Sequence, residues 1–328
     1  MADVAGLAGA LSDRAEEHTD TVMPGYTHTQ PAQPISVGFH LLAHGFALAR
    51  DLTRLDSART AADVSPLGAG ALAGTTLPLD VTVSASALGF SNVFDNAMDA
   101  VSERDFALDL LYATSVLGVH LSRLAEEIVL WTSPQYGFAR LPDGWSTGSS
   151  MMPQKRNPDM AELIRGRAAP AIGDLTGLLA LLKSLPLAYD RDLQEDKAPL
   201  FASVSRARGC VAGMKAMIEG IEFDVEALSA AALGGAMWAT DLAEILVSRG
   251  VSFREAHGTV GGLVARLEES GESLAASILT EAHPAFSTAD IHVLDPNSGM
   301  EARSSHGGTA PARVHEQIAA LRAKAEFY

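Results

Sequence analysis

The stretch DFALDLLYATSVLGVHLSRLAEEIVLW, residues 105–131, decides the fold. It contains no proline and a single glycine, Gly118, so little in it would interrupt a helix. At ~1.5 Å per residue, such a helix would be on the order of 40 Å long, which is typical of helix bundles. SERD, residues 102–105, resembles a helix-capping box with Asp in place of the usual Glu, and it marks the start of this helix.

Further helices are predicted on both sides from the spacing of apolar residues and from the positions of proline and glycine. They cover approximately residues 3–18, 35 to shortly before Pro66, 159–184, 198–220, 225–233, 239–249, 253–269, 272–280 and 310–326. Pro170 should kink the helix at 159–184 unless a new helix begins there. Residues 22–36, with three prolines, and residues 290–308 are predicted to be loops.

The expected fold is therefore all-α. Only 6% of the residues are aromatic, while Ala, Leu and Gly are abundant, which favours helices packed through small side chains over a β-sandwich. The predicted segments become shorter after about residue 225. We therefore predict a bundle of long helices over residues 1–230 and a small C-terminal helical domain over residues 231–328.

Charge and hydropathy exclude several classes of partner. The formal net charge is -16 and there is no long Lys/Arg run, so nucleic acid is not an expected partner. The sequence has no run of 18 apolar residues, so no membrane span is predicted, and the N-terminus lacks the basic start of a signal peptide. The lone Cys210 fits a reducing, cytoplasmic location. Local cations and helix N-termini can still bind a small anionic substrate.

A metal site is not predicted. His40 and His44 share one face of a helix at i and i+4, which is a spacing that metal-binding histidines use. However, there is no HExxH motif, and the sequence shows no third ligand near the pair.

The segment GSSMMPQKRNP, residues 148–158, is the most specific motif. A serine hydroxyl can act as a base only if oriented donors stabilise its alkoxide. Backbone N–H groups at a loop–helix junction and a nearby ammonium group can supply such donors. From the residues alone, two interpretations stand: a flexible polar linker, or a mobile loop that closes over a substrate.

A second motif is GYTHTQ, residues 25–30. A histidine in a loop flanked by prolines is often a hydrogen-bonded structural residue. A functional role for such a histidine is less frequent. The residues alone leave both interpretations open.

GSSMMPQKRNP resembles the signature of the fumarase/aspartase superfamily, in which the first serine of the motif is the catalytic base. That resemblance implies Ser149 as the base, with Lys155 and Asn157 binding the carboxylate end of the substrate. GYTHTQ is similar to the matching stretch of argininosuccinate lyases, which implies Thr27 as a substrate ligand and His28 as the proton donor. In the family, the glutamate that matches Glu162 pairs with this histidine.

Other segments resemble argininosuccinate lyases rather than fumarases or aspartases, so the resemblance covers essentially the whole chain. These segments are AMDAVSERDF (97–106), LPLAYDRDLQEDK (185–197), ATDLAEILVSRGVSFREAH (239–257) and ARSSHGGTAPARV (302–314). Residue by residue, the resemblance implies substrate contacts at Asn96, Arg104, Tyr189, Gln194 and Lys197. Cations at Arg104 and Lys197 would suit a substrate with three carboxylates, although both residues could also form surface ion pairs.

The resemblance implies a carbon–nitrogen lyase that eliminates fumarate from argininosuccinate and leaves arginine, without a metal or an organic cofactor. Departures at Thr29, Pro31 and Val37–Gly38, and at Thr75–Thr76 after a Gly-rich stretch, keep open a lyase acting on another N-substituted succinate. A non-catalytic structural paralogue is a third possibility.

The resemblance also bears on assembly. Family members form tetramers whose active sites draw three regions from three subunits. Here Met1 aligns just before the helix leading into GYTHTQ, and no Ser-x-Asn-Asp motif precedes it. We expect a homotetramer, or a hetero-oligomer in which a separate N-terminal subunit supplies that region; a truncated sequence is the other explanation.

Overall fold

The computed structural model describes residues 1–148 and 150–328. Its helices are α1 Ala2–Glu17, α2 Val37–Ala61, α3 Val81–Leu88, α4 Ala97–Ser102, α5 Asp105–Trp131, α6 Asp159–Leu182, α7 Lys197–Gly220, α8 Val225–Ala232, α9 Ala239–Ser248, α10 Phe253–Ser270, α11 Ala276–Ala282, α12 Pro296–Ala302 and α13 Pro311–Glu326. Its short strands are β1 Val22–Thr27, β2 Gln30–Ser36, β3 Val64–Ser65, β4 Asn92–Val93, β5 Ala139–Arg140, β6 Thr147–Gly148, β7 Arg156–Asn157 and β8 Glu222–Phe223. The strands pair two at a time, and the predicted all-α class is confirmed.

Helix α5 lies at the centre of the bundle, between α2, α6 and α7. Its buried side chains recur every three or four residues, as a helix that buries one face requires: Leu111, Thr114, Leu117, Leu121, Leu124 and Ile128. Four of them, Leu117, Leu121, Leu124 and Ile128, form a continuous core with leucines of α1 and α2 and methionines of α7. The helix predicted at 105–131 is thus confirmed, including its bounds.

Small residues bring α5 and α6 close together. A Cβ added to Gly118 would lie 3.5 Å from the Cα of Ala168. The Ser115 hydroxyl donates a hydrogen bond of 2.8 Å to the Ala171 carbonyl. Helix α6 runs continuously through Pro170, so the alternative that a new helix begins at this proline is wrong.

Residues 22–36 were predicted to be a loop, and this prediction was wrong. They form an antiparallel hairpin of β1 and β2, with an irregularity between Gly25 and Tyr26. An isolated two-stranded hairpin has no inner strand, so every proline in it can sit where no ladder hydrogen bond is needed. The side chains of Val22 and Met23 are buried and hold the base of the hairpin in place.

A second core lies among α9, α10 and α11, where Leu242, Leu246, Leu263 and Leu279 are buried together. The prediction of short helices here is confirmed. The prediction of a loop at 290–308 is wrong in part, because α12 occupies seven of these residues; Asp295 caps it and Pro296 starts it.

The last helix, α13, packs against α1 and α2 and contributes Val314, Ile318 and Leu321 to the first core. The division into domains at residue 230 remains a prediction. Any such division has to take into account that α13, the last helix of the chain, packs against the long-helix bundle.

Within the two described ranges, no helix is both long enough and apolar enough to cross a membrane.

The packing of α2 on α1 provides a test of the fold. A Cβ at Gly38 would lie 2.4 Å from the Ala15 carbonyl oxygen, which is backbone and cannot rotate away. We expect Gly38→Ala to destabilise the protein by roughly 1–3 kcal/mol, the usual range for overpacking. Gly261→Ala in α10 is the matched control: it meets no atom within 4 Å, so it should stabilise by about 0.5–1 kcal/mol through helix propensity. Urea unfolding measures both changes, and equal midpoints for wild type and Gly38→Ala would contradict the close α1–α2 contact.

Candidate active site

Thr27 and His28 lie at the tip of the β1–β2 hairpin. Thr27 pairs with Gln30, which leaves His28 and Thr29 as a two-residue turn. Both turn residues have positive φ angles, 54° and 60°. Two-residue hairpins favour such turns because their twist matches that of the strands, but usually with Asn and Gly in them. A β-branched residue at φ 60° is an outlier, and such outliers cluster at functional sites.

The tip is exposed, whereas its stem is held by aromatic packing. The rings of Tyr26 and Tyr136 meet edge to face with centroids 5.8 Å apart. Burial raises the pKa of the Tyr26 hydroxyl, and so does the neighbouring Tyr136. Tyr136 follows the C-terminal end of α5, so the hairpin is anchored at that end of the helix.

The predicted catalytic loop is closed at its base by β6 and β7. Thr147 pairs with Asn157 and Gly148 with Arg156. The Thr147 N–H donates to the Asp159 carboxylate at 3.0 Å, which ties the loop to the first turn of α6. Ser149, the predicted base, lies outside the described residues.

Lys155 and Asn157 lie on the returning arm of this loop, directly before α6. The side chain of Lys155 is exposed and that of Asn157 is partly buried. Asn157 also lines a small pocket of about 70 Å³ next to Thr132, at the C-terminal end of α5. That volume is far below the ~300–1,000 Å³ of ligand pockets, so this chain's own walls do not enclose a substrate there.

Glu162 lies in the first turn of α6 and is exposed. In the part of the chain that the structure describes, no hydrogen bond or ion pair joins Glu162 to His28. The charged group that interacts with Glu162 is the guanidinium group of Arg165, which is itself hydrogen-bonded to Glu126. The Glu162–His28 pair therefore stays a prediction.

At the other end of α5, a buried carboxylate holds two of the predicted substrate ligands. Asp196 accepts a hydrogen bond from Arg104 Nε at 2.7 Å and another from Lys197 Nζ at 2.8 Å. The side chain of Asp196 is 8% exposed, whereas that of Lys197 is 60% exposed. The carboxylate thus fixes the direction of both cations while leaving the ammonium group open to solvent.

The remaining predicted ligands surround this ion cluster. Asn96 caps α4 by accepting hydrogen bonds from the N–H groups of Met98 and Asp99 at 2.9 and 3.0 Å. Tyr189 is 50% exposed, and Gln194 lies on the short 3-10 helix Arg191–Asp196. The Ala188 N–H donates a hydrogen bond to the Ser102 hydroxyl, which joins the segment after α6 to the end of α4. These ligands therefore share one region.

The structure therefore divides the predicted site into two groups. Thr27, His28, Lys155 and Asn157 lie near the C-terminal end of α5, and the ion cluster of Arg104, Asp196 and Lys197 lies at its N-terminal end. Helix α5 has 27 residues, which at ~1.5 Å per residue separates the two groups by about 40 Å. One chain does not bring them together.

Sequence reasoning missed two clusters of ionisable residues. Asp196 was not singled out, although it directly precedes Lys197 in the quoted segment. Glu127 was also missed: its Oε2 lies 2.6 Å from the Nε2 atoms of both His40 and His44. Because Glu127 is 83 residues from His44, only the packing of α2 on α5 reveals it.

The charge of Glu127 follows from its neighbours. Burial on its own would raise the pKa of this carboxyl group. Hydrogen bonds and charges from His40 and His44 outweigh burial and hold the pKa well below its usual range. Glu127 is therefore ionised at neutral pH.

Two family models match the chain. A model described as lyase covers residues 1–173, and one described as argininosuccinate lyase C-terminal covers residues 236–301. The chain is 51% identical to an argininosuccinate lyase from Hyphomonas neptunium and 48% identical to one from Symbiobacterium thermophilum. Each match covers 96% of this chain and 69% of the relative.

A solved structure supports the same relationship. The crystal structure of EDDS lyase in complex with formate superposes with a TM-score of 0.92 at 31% identity, covering 99% of this chain and 67% of that one. Two observations thus agree: relatives about half identical over almost the whole chain, and a fold that superposes on that of EDDS lyase over 99% of this chain. This chain belongs to the argininosuccinate lyase family, within the fumarase/aspartase superfamily.

Proposed function

We propose that this chain is the subunit of a carbon–nitrogen lyase that eliminates fumarate from argininosuccinate and leaves arginine. The observation that carries this proposal is the 51% sequence identity to an argininosuccinate lyase over 96% of the chain. The pairing of Thr147–Gly148 with Arg156–Asn157 directly before α6 supports the proposal.

Proton removal is assigned to Ser149. Its alkoxide would take the proton from the carbon beside one carboxylate of the succinyl group, which leaves a doubly charged aci-carboxylate. Lys155 and Asn157 lie on the returning arm of the predicted loop and would stabilise that charge. The N-terminus of α6 adds the positive end of a helix dipole just after them.

An ordinary serine is far too weak an acid to ionise at neutral pH. Each pKa unit by which its environment strengthens it corresponds to ~1.4 kcal/mol, so the site has to supply many such units. Water would weaken every one of these interactions. The loop therefore has to close over the substrate before the proton moves.

Protonation of the leaving nitrogen is assigned to His28. The carbanion expels the guanidinium nitrogen as the carbon–nitrogen bond breaks, and this nitrogen takes a proton from the imidazole directly or through water. The left-handed turn at His28–Thr29 holds the ring at the outermost point of the hairpin. Thr27 would bind the substrate beside it, and Glu162 would fix the imidazole tautomer.

The ion cluster at the other end of α5 suits the remaining carboxylates of the substrate. Lys197 is exposed and retains two N–H donors beyond the one given to Asp196. Arg104 donates through Nε to Asp196 and through Nη1 to backbone carbonyls, which holds its guanidinium group rigid. Asn96, Tyr189 and Gln194 would complete this part of the site.

These assignments require more than one chain, because the two groups of residues are about 40 Å apart within one chain. Large apolar side chains on the outer faces of α5, α6 and α7 are exposed, which favours association: Tyr112, Val119, Leu163, Ile172, Leu179 and Phe201. We propose a homotetramer in the cytoplasm, in which different chains supply the two ends of each site. The hetero-oligomer with a separate N-terminal subunit remains the alternative.

A lyase acting on another N-substituted succinate is the second candidate. The likeness to EDDS lyase favours it, and so do Thr29 and Pro31 in and beside the His28 turn. Assays that follow fumarate release from argininosuccinate, and fumarate consumption in the presence of other amines, separate the two candidates. If no substrate releases or consumes fumarate, both lyase assignments fail and a structural role is favoured.

The base assignment is tested with neighbouring serines. Ser149→Ala should lower kcat for fumarate release by ~10²–10⁴, the usual contribution of a general base, without changing the assembly. Ser150→Ala is the matched control and should stay within about tenfold of wild type, because the assigned base is retained. Ultraviolet absorbance of fumarate measures both rates, and full activity of Ser149→Ala would contradict the assignment.

The role of Asp196 is tested by removing its charge. Asp196→Asn keeps the shape but releases Arg104 and Lys197, so KM should rise roughly tenfold with a smaller effect on kcat, since each bond to a charged group is worth about 1.5–3 kcal/mol. Asp174→Asn removes a similar acceptor, 2.8 Å from Arg206, and should leave KM within about twofold. A fall in KM for Asp196→Asn would mean that added positive charge outweighs positioning.

Shared sites are tested by mixing two inactive variants. Lys155→Met disables the group of site residues at the C-terminal end of α5, and Lys197→Met disables the group at its N-terminal end. If the two ends of a site come from different chains, refolding the variants together in equal amounts should restore about a quarter of the wild-type activity by random assembly. If both ends came from one chain, the mixture would stay as inactive as each variant alone.

A further inference from the structure

His40, His44 and Glu127 form a compact cluster of three ligand atoms between α2 and α5. The two Nε2 atoms each lie 2.6 Å from the same Glu127 Oε2. All three ligand atoms are within 4.8 Å of one another. None of these residues has a part in the proposed elimination.

We propose that this cluster binds one divalent transition-metal ion of the Zn²⁺ class, at a site separate from the catalytic residues. Two imidazole nitrogens and one carboxylate oxygen are a ligand set that Zn²⁺ uses when one coordination position stays open for water. Imidazole ligands favour such ions over Mg²⁺ or Ca²⁺, which prefer oxygen alone.

The distances fit an ion after a small adjustment. Tetrahedral coordination at bond lengths of ~2.0–2.2 Å places ligand atoms about 3.3–3.6 Å apart. Each Nε2–Oε2 distance of 2.6 Å therefore has to lengthen by roughly 0.7–1.0 Å, which needs only small changes in the side-chain torsion angles. Because His40 and His44 are one turn apart on α2, their side chains already point to the same side of the helix.

The surroundings allow an ion to enter while holding the ligands in place. The side chains of His40, His44 and Glu127 are 25%, 13% and 31% exposed, so the cluster is neither sealed nor open to bulk solvent. The ring of Trp131 meets that of His40 edge to face at 5.2 Å and limits its rotation. Such support of a metal-binding histidine by its neighbours is a regular feature of metal sites.

A bound ion would tie together the two helices that carry the catalytic segments. Helix α2 follows the hairpin with Thr27 and His28, and α5 ends just before the segment that leads to the loop at 148–158. The three ligands lie in the N-terminal part of α2 and the last turns of α5. The ion would therefore act as a structural link at the base of both segments and would have no chemical step of its own.

The decisive measurement is Zn²⁺ binding by the purified protein, followed by competition with a chromophoric chelator. We expect one Zn²⁺ per chain, and a loss of at least tenfold in affinity for His44→Gln and Glu127→Gln, as for removal of one ligand. His257→Gln is the matched control. His257 is an exposed histidine on α10, so this variant should bind Zn²⁺ with the same affinity as the wild type. Binding below one equivalent in wild type, or equal affinity in all variants, would overturn the proposal.

Co²⁺ provides a readout that does not depend on the variants folding. Substituted into a four- or five-coordinate site with nitrogen and oxygen ligands, it should give visible d–d absorption at one equivalent per chain. Wild-type Tm should also rise by a few degrees with excess Zn²⁺, because an ion that binds only the folded state stabilises it. An octahedral, solvent-like Co²⁺ spectrum in wild type would show that the cluster is only a hydrogen-bonded contact.

Discussion

The close packing of α5 against α6 is the constraint on which the rest of the structure depends. Small side chains at Gly118 and Ala168 let the two backbones approach, and the Ser115–Ala171 hydrogen bond fixes their relative position along the axis. The predicted catalytic loop lies in the connection between these two helices. The segment with Tyr189 and Lys197 is the connection between α6 and α7. The α5–α6 pair thus determines where both groups of site residues lie and how far apart they are.

The sequence was sufficient to predict the features that follow from long-range periodicity. An uninterrupted stretch of 27 residues with apolar positions every three or four residues has few alternatives to a helix. The motif GSSMMPQKRNP was also recognisable, because its unusual residue types are contiguous in the chain. Its position just before a helix could be read from the following pattern.

The features that could not be predicted depend on contacts between distant residues or on local pairing. Three prolines at 22–36 indicated a loop, because the rule against proline in strands holds for inner strands but not for an isolated hairpin. The third residue of the His40–His44 cluster was not evident because Glu127 comes from another helix. Asp196 carries no distinguishing motif, and its role became visible only when Arg104 and Lys197 were found on the same carboxylate.

The length of α5 also has a consequence for how activity depends on the amount of protein. In the proposed assembly, no single chain holds both ends of a site, so a dissociated chain has no turnover however well it is folded. The specific activity should then follow mass action: it falls on dilution below the dissociation constant of the assembly and recovers on concentration, while the helical content of each chain stays the same. The helix that stabilises the fold would thereby make catalytic activity depend on the association of several chains.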